Sequence, residues 1–162
     1  MGASHYLVQS IFGPQEYIIR SSQGIPRLSH SKNYISISHN PESIAVITSA
    51  QPVAIDIELA DRNVSHVAKK FTEEREVKMI SKEFLSNPEI VIWTQKECLF
   101  KIIKAVGVDF KSHLKLQSSH AENDRLRCEY LVSHDDCHGR YLIESFIFDK
   151  TIISYIDRPI IK

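Results

Sequence analysis

Val53-Ala54-Ile55-Asp56-Ile57-Glu58, the stretch VAIDIE, places two carboxylates two residues apart inside a run that otherwise reads as a buried strand. Side chains of a strand alternate faces with a rise of ~3.3 Å per residue, so Asp56 and Glu58 point the same way, their Cα atoms ~6.6 Å apart. Val53, Ile55 and Ile57 take the opposite face. Two like charges on one face repel and are costly to bury unless water, a cation or a basic partner neutralises them. The pattern alone leaves two readings open: an edge strand with a solvated polar face, or a seat for a hard divalent cation.

Outward from this stretch, residues 34–39 alternate strictly, with Ile35 and Ile37 on one face and Ser36 and Ser38 on the other. Asn40-Pro41-Glu42 turns the chain into 43–48, and Gln51-Pro52 turns it again, so 34–58 reads as a three-stranded meander. Upstream, 3–12 reads as a short helix stopped by Gly13-Pro14, and 17–19 as a strand before a turn at 21–24. Downstream, Val64, Val67, Ala68 and Phe71 are spaced for a helix, and Thr72 followed by Glu73, Glu74 and Glu76 marks another helix start. Pro88 opens the strongest helix, 89–106, which Gly107 closes. Segments 114–116, 127–132, 141–148 and 152–156 read as strands, with a hairpin turn at 135–139. Strands, helices and strands in that order predict an α+β fold with antiparallel sheets and packed helices. The seam near 59–65 divides it into residues 1–58 and 59–162.

That helix carries Trp93-Thr94-Gln95-Lys96-Glu97-Cys98-Leu99-Phe100-Lys101. Trp93, Glu97 and Lys101 are spaced by four and share one side, while Lys96 points elsewhere and takes a supporting role. Taken alone, Glu97 and Lys101 form an ordinary surface ion pair. Joined to Asp56 and Glu58 they describe a phosphate-handling metal site, because Mg²⁺ is held by a few carboxylates and completed by substrate phosphate oxygens and water.

The chain has 162 residues, 43% hydrophobic and 25% charged, enough for one good core or two small halves sharing one. Twenty basic and twenty acidic side chains cancel, so no overall field argues for nucleic acid or a membrane surface. A charged partner must meet a local patch, and Arg62, Lys69, Lys70, Arg75 and Lys78 form one in sequence. Cys98, Cys128 and Cys137 lie in unlike contexts, the start lacks a secretory signal, and no apolar run approaches ~20 residues, all of which predict a cytoplasmic protein. Ser133 to Gly139 collects metal-ligand residue types but reads as a polar turn rather than a zinc site.

Gly24-Ile25-Pro26, ISISHN at 35–40, VAIDIE at 53–58, Phe71-Thr72 and WTQKECLFK at 93–101 together resemble the 4′-phosphopantetheinyl transferase superfamily, in its pseudo-dimeric, surfactin-synthetase-like branch with a shortened first half. The resemblance spans roughly residues 3–117. It implies a fold of two similar halves, the first reduced, with the active site in the cleft between them. It also implies Mg²⁺-dependent transfer of 4′-phosphopantetheine from coenzyme A to a serine of an apo acyl or peptidyl carrier protein, releasing 3′,5′-ADP. By the same resemblance Asp56, Glu58 and Glu97 match the metal ligands, and Glu97 is the candidate base. Lys101 matches the catalytic lysine that contacts the coenzyme A phosphates, and His39 matches a coenzyme A contact. His5 and Gln9 stand where the family offers arginines, so His5 is carried over as a coenzyme-binding position. Ile25 replaces a family lysine, and Arg27, Arg20 or Lys32 are the candidates to supply the missing cations. Two rival readings are a diverged member that binds metal or coenzyme A without transferring the arm, and an unrelated Mg²⁺-dependent phosphate-ester enzyme.

Overall fold

The computed structural model describes residues 2–82 and 84–157; residues 1, 83 and 158–162, which the two assigned halves include, lie outside the described residues. The chain opens with α1 (Ala3–Phe12), closed by Gly13 at φ 98, and a small hairpin of β1 (Ile18–Arg20) and β2 (Pro26–Leu28). β3 (Tyr34–His39) and β4 (Ile44–Ser49) form a second antiparallel pair. Val8, Leu28 and Ile35 close a small core here, with Phe12, Ile18, Ile37 and Val46 packed around it.

β5 (Ala54–Leu59) leads into α2 (Ser65–Ala68), α3 (Glu74–Met79) and α4 (Pro88–Ile103). β6 (Leu114–Glu122), β7 (Arg125–His134), β8 (Cys137–Phe148) and β9 (Thr151–Ile156) then complete a five-stranded antiparallel sheet in the order β5-β9-β8-β7-β6. α4 lies on this sheet over the main core, where Ile90, Val91, Ile92, Cys98 and Leu99 meet Leu114, Tyr130, Val132, Ile143 and Ile152. The α+β architecture with antiparallel sheets and packed helices is the one the sequence predicted. Among the described residues no helix is long and apolar enough to cross a membrane.

Several expectations need correction. The meander of 34–58 does not form, because β5 pairs with β9, from Ala54 opposite Ile156 to Leu59 opposite Thr151. Strand β5 thus belongs by hydrogen bonding to the large sheet. Its alternate N–H groups point the other way and are met by serine hydroxyls: Ile55 N–H donates to Ser36 Oγ (3.1 Å) and Ile57 N–H to Ser38 Oγ (3.3 Å). β3 therefore covers the edge of β5 with side chains instead of backbone. α4 stops at Ile103 rather than 106, because Lys104 adopts the left-handed conformation (φ 56) and returns its N–H to Phe100 O. The helix expected over 64–71 shrinks to the single turn of α2. β6, β7 and β8 run longer than expected, so the hairpin turn tightens to Asp135-Asp136, with a second at Asn123-Asp124, both of the latter at positive φ.

Candidate functional site

The two acids of VAIDIE are not a solvated face. Asp56 is 6% exposed, and its Oδ1 accepts Lys101 Nζ at 2.7 Å and the Ser38 hydroxyl at 2.7 Å. Its Oδ2 is buried and has no hydrogen-bond partner. Glu58 Oε1 accepts the Trp93 indole N–H at 3.1 Å and is ion-paired with Arg62. Lys101 forms its ion pair with Asp56 rather than the i,i+4 pair with Glu97, and also donates to Ile55 O (2.8 Å) and Ile37 O (3.5 Å), tying α4 to β3 and β5 together.

Glu97 is half-buried one turn before Lys101. Burial pushes its carboxyl up from 4.5 to about 7; the charges of Asp56 and Glu58 push the same way, and Lys101 and Arg62 oppose them. Burial also raises Asp56, against Lys101 and Ser38. A carboxyl raised on folding binds protons more tightly in the folded chain, so its stabilising contribution is complete below about 4.5 and is lost as pH rises through about 7. The metal-free protein is accordingly expected to lose thermal stability between pH ~5 and ~8. Glu97→Gln should flatten part of that slope in melting curves recorded in chelator.

Among the described residues no three His, Cys, Asp or Glu side chains stand together as a ready-made metal cluster, either at these acids or at the 133–139 turn. Mg²⁺ does not require one, since it commonly binds through one or two carboxylates and substrate phosphates while keeping several waters. The fit rests on Asp56, whose buried, unpartnered Oδ2 lacks the positive partner that an ion would provide.

Beside this cluster lies a cleft of about 1340 Å³ between the β1–β2 hairpin, β3 and the end of α4. Among the described residues its lining includes Arg20, Arg27, Lys32, His39, Lys101 and Lys104, and no carboxylate. Glu16 buttresses one wall by accepting the Ser29 hydroxyl (2.7 Å) and the N–H groups of His30 (2.8 Å) and Ser31 (2.9 Å). Of the expected coenzyme-binding residues, His39, Arg27 and Lys101 line the cleft; His5, on α1, does not. The cations that the sequence could name only as substitutes, Arg20 and Lys32, are there as well.

Sequence reasoning missed Ser36 and Ser38 as contacts to β5, and Arg62 as the partner of Glu58. The alternation of ISIS was the available signal, but it reports a face and not what the face meets. Lys96 does point away from Glu97, into the core, where it is fully buried against Glu76. Cys98 is a buried thiol donating to Ser154 O, with burial raising its pKa well above the ordinary value, which suits packing and not nucleophilic attack.

No curated protein matches the chain closely enough to serve as a relative. A sequence model of the 4′-phosphopantetheinyl transferase superfamily matches residues 52–151, from the turn before β5 into β9. This stretch starts and ends later than the resemblance read from motifs, and it takes in both VAIDIE and WTQKECLFK. Because the match spans more than half of the sequence and contains Asp56, Glu58, Glu97 and Lys101, the chain belongs to the 4′-phosphopantetheinyl transferase superfamily.

Proposed function

We propose that the protein transfers 4′-phosphopantetheine from coenzyme A to a serine of an apo acyl or peptidyl carrier protein, with Mg²⁺. The observation that carries this reading is Lys101, which lines a cleft rich in cations and at the same time holds Asp56 of the acidic strand. A ligand with several phosphates suits the cleft, and the reacting pyrophosphate then falls at the Lys101 end. Arg20, Arg27 and Lys32 hold the remaining phosphate in this reading, Arg with the forked geometry suited to it.

The serine oxygen attacks the β-phosphorus, the bond from that phosphorus to the leaving phosphate oxygen breaks, and 3′,5′-ADP departs. Glu97 would take the serine proton, directly or through a water, as a carboxylate beside the reacting group can. Asp56, Glu58 and Glu97 would hold the divalent ion, which when bound supplies neutralising charge to the pyrophosphate oxygens. The first 58 residues are read as the reduced half of a pseudo-dimer, which contributes the cleft wall.

The test is incubation with coenzyme A, Mg²⁺ and a panel of apo carrier proteins, followed by mass spectrometry. Addition of the arm to a serine supports the reading; no modified carrier, together with no coenzyme A binding by calorimetry, refutes it. Binding without modification favours the non-transferring alternative.

For the carrier, the basic cluster read from sequence regroups. Arg62 is taken by Glu58 and Lys78 by Glu74, while Lys69 and Lys70 share a shallow hollow with Lys111 and Lys115, the last paired with Glu73. This hollow is our docking surface for an acidic carrier helix. Lys69→Glu with Lys70→Glu is expected to weaken carrier affinity about tenfold at low salt, with kcat little changed. Unchanged affinity in a titration at low salt would remove the surface from consideration.

A further inference from the structure

Ser38 is buried, between Ile37 and His39, both of which line the cleft, yet it is not itself part of the lining. Its side chain turns inward to β5. There the hydroxyl has one lone pair committed to the N–H of Ile57 (3.3 Å) and its only hydrogen committed to Asp56 Oδ1 (2.7 Å). The backbone bond fixes the hydroxyl, and the hydroxyl fixes the carboxylate. Lys101 Nζ adds a second donor to the same oxygen. One oxygen of Asp56 is thereby saturated, while the other, on a side chain only 9% exposed, is left with no partner.

We propose that Ser38 is a positioning residue that decides which oxygen of Asp56 is left for a divalent cation. The proposal rests on the metal reading of Asp56 given above and extends it to a residue that touches neither metal nor coenzyme. Ligating carboxylates are commonly oriented by outer hydrogen bonds, and loss of such a partner typically lowers metal affinity ~10- to 100-fold. Lys101 alone does not replace Ser38, because its ammonium is shared with Ile55 O and Ile37 O, whereas the Ser38 hydroxyl, clamped by a strand N–H, gives its only hydrogen to Oδ1.

Ser36 supplies an internal comparison. It accepts the N–H of Ile55 at 3.1 Å as Ser38 accepts that of Ile57, so both serines bridge β3 and β5, but the Asp56 carboxylate is hydrogen-bonded only by Ser38 and Lys101 among the described residues. A role confined to joining the strands would make the two equivalent for metal binding.

The experiment is a titration of the full chain with Mn²⁺ alone, followed by electron paramagnetic resonance of the free ion, with melting curves alongside. Ser38→Ala should weaken Mn²⁺ binding ~10-fold or more, Ser36→Ala should stay within about twofold of the parent, and Ser38→Thr, which keeps the hydroxyl, should recover most of the loss. If Ser38→Ala does not fold, Ser38→Cys, slightly larger and only a weak donor, must show the same deficit. Parent-like binding in Ser38→Ala or Ser38→Cys, or a Ser36→Ala loss of equal size, overturns the proposal while leaving the metal site standing. A parent chain that binds no Mn²⁺ overturns the metal reading itself, and the proposal with it.

Discussion

Glu76→Ala is expected to destabilise the fold by about 3–5 kcal/mol, the cost of stranding one member of a buried ion pair. Lys96 is fully buried, and its Nζ donates to both Glu76 oxygens (3.0 and 2.9 Å), Phe71 O (2.7 Å) and Phe110 O (3.1 Å). Glu76 in turn accepts the Thr72 hydroxyl (2.8 Å), Glu73 N–H (3.2 Å) and Leu116 N–H (2.8 Å), so one carboxylate joins α3, α4 and β6. Removing it leaves Lys96 in the core, where burial already pulls its pKa down, and unpairs three further donors. For a chain of this size the loss corresponds to a melting temperature lower by roughly 6 to 20 °C. Lys96→Met added to Glu76→Gln should recover part of it, since an amide still accepts from Leu116 N–H and the stranded charge is gone. A loss under about 1 kcal/mol in denaturant unfolding would show that the pair is not closed from water.

This pair also bears on the site, because Lys96 and Glu97 are neighbours on α4. The helix is held on its other side by Gln95, which donates to Ser145 Oγ (2.9 Å) and accepts the Tyr130 hydroxyl (2.8 Å). Two polar anchors at consecutive positions set both the rotation and the depth of α4, and with them the direction of Glu97 and Lys101. Gln95 and Lys96 of WTQKECLFK thus anchor the helix, while Lys101 of the same motif reaches Asp56 at the candidate site.

The sequence made the residue types and the local periods legible, and with them the fold class, both site motifs and the alternation of ISIS. It did not reveal what each face meets. VAIDIE pairs with β9, nearly a hundred residues later, and no local pattern encodes a partner so remote, whereas adjacency in sequence suggested β4. Lys104 ended α4 without the glycine that marks such ends, so Gly107 drew the expected boundary three residues too far. The cations of the cleft were visible as Arg20, Arg27 and Lys32, but nothing local to them showed that the hairpin carries them to the same wall as Lys101. His5 was placed by analogy with family arginines, and α1 puts it off that wall.

Asp56→Asn is expected to lower carrier modification by ~10³-fold or more while leaving the chain as stable as the parent. Neutralising charge from a bound ion contributes several kcal/mol to phosphoryl transfer, and about 4 kcal/mol corresponds to a factor of ~10³. The stability expectation comes from the same burial. A carboxylate whose pKa is raised on folding, with one oxygen unpartnered, opposes folding at neutral pH, and the amide removes that charge while keeping the shape and an acceptor for Ser38. Lys101 keeps Ile55 O and is partly exposed, so it is not stranded as Lys96 would be. Asp56→Ala is the less informative variant, because it also opens a cavity and leaves the Ser38 hydroxyl without its acceptor. A Mn²⁺ titration separates the causes: lost binding together with lost transfer assigns the defect to the metal. Full transfer in Asp56→Asn with unchanged Mn²⁺ affinity would sink the assignment. Glu58→Gln discriminates less well, because Arg62 and Trp93 both rely on that carboxylate, and its loss would disturb β5, the loop after it and α4 at once.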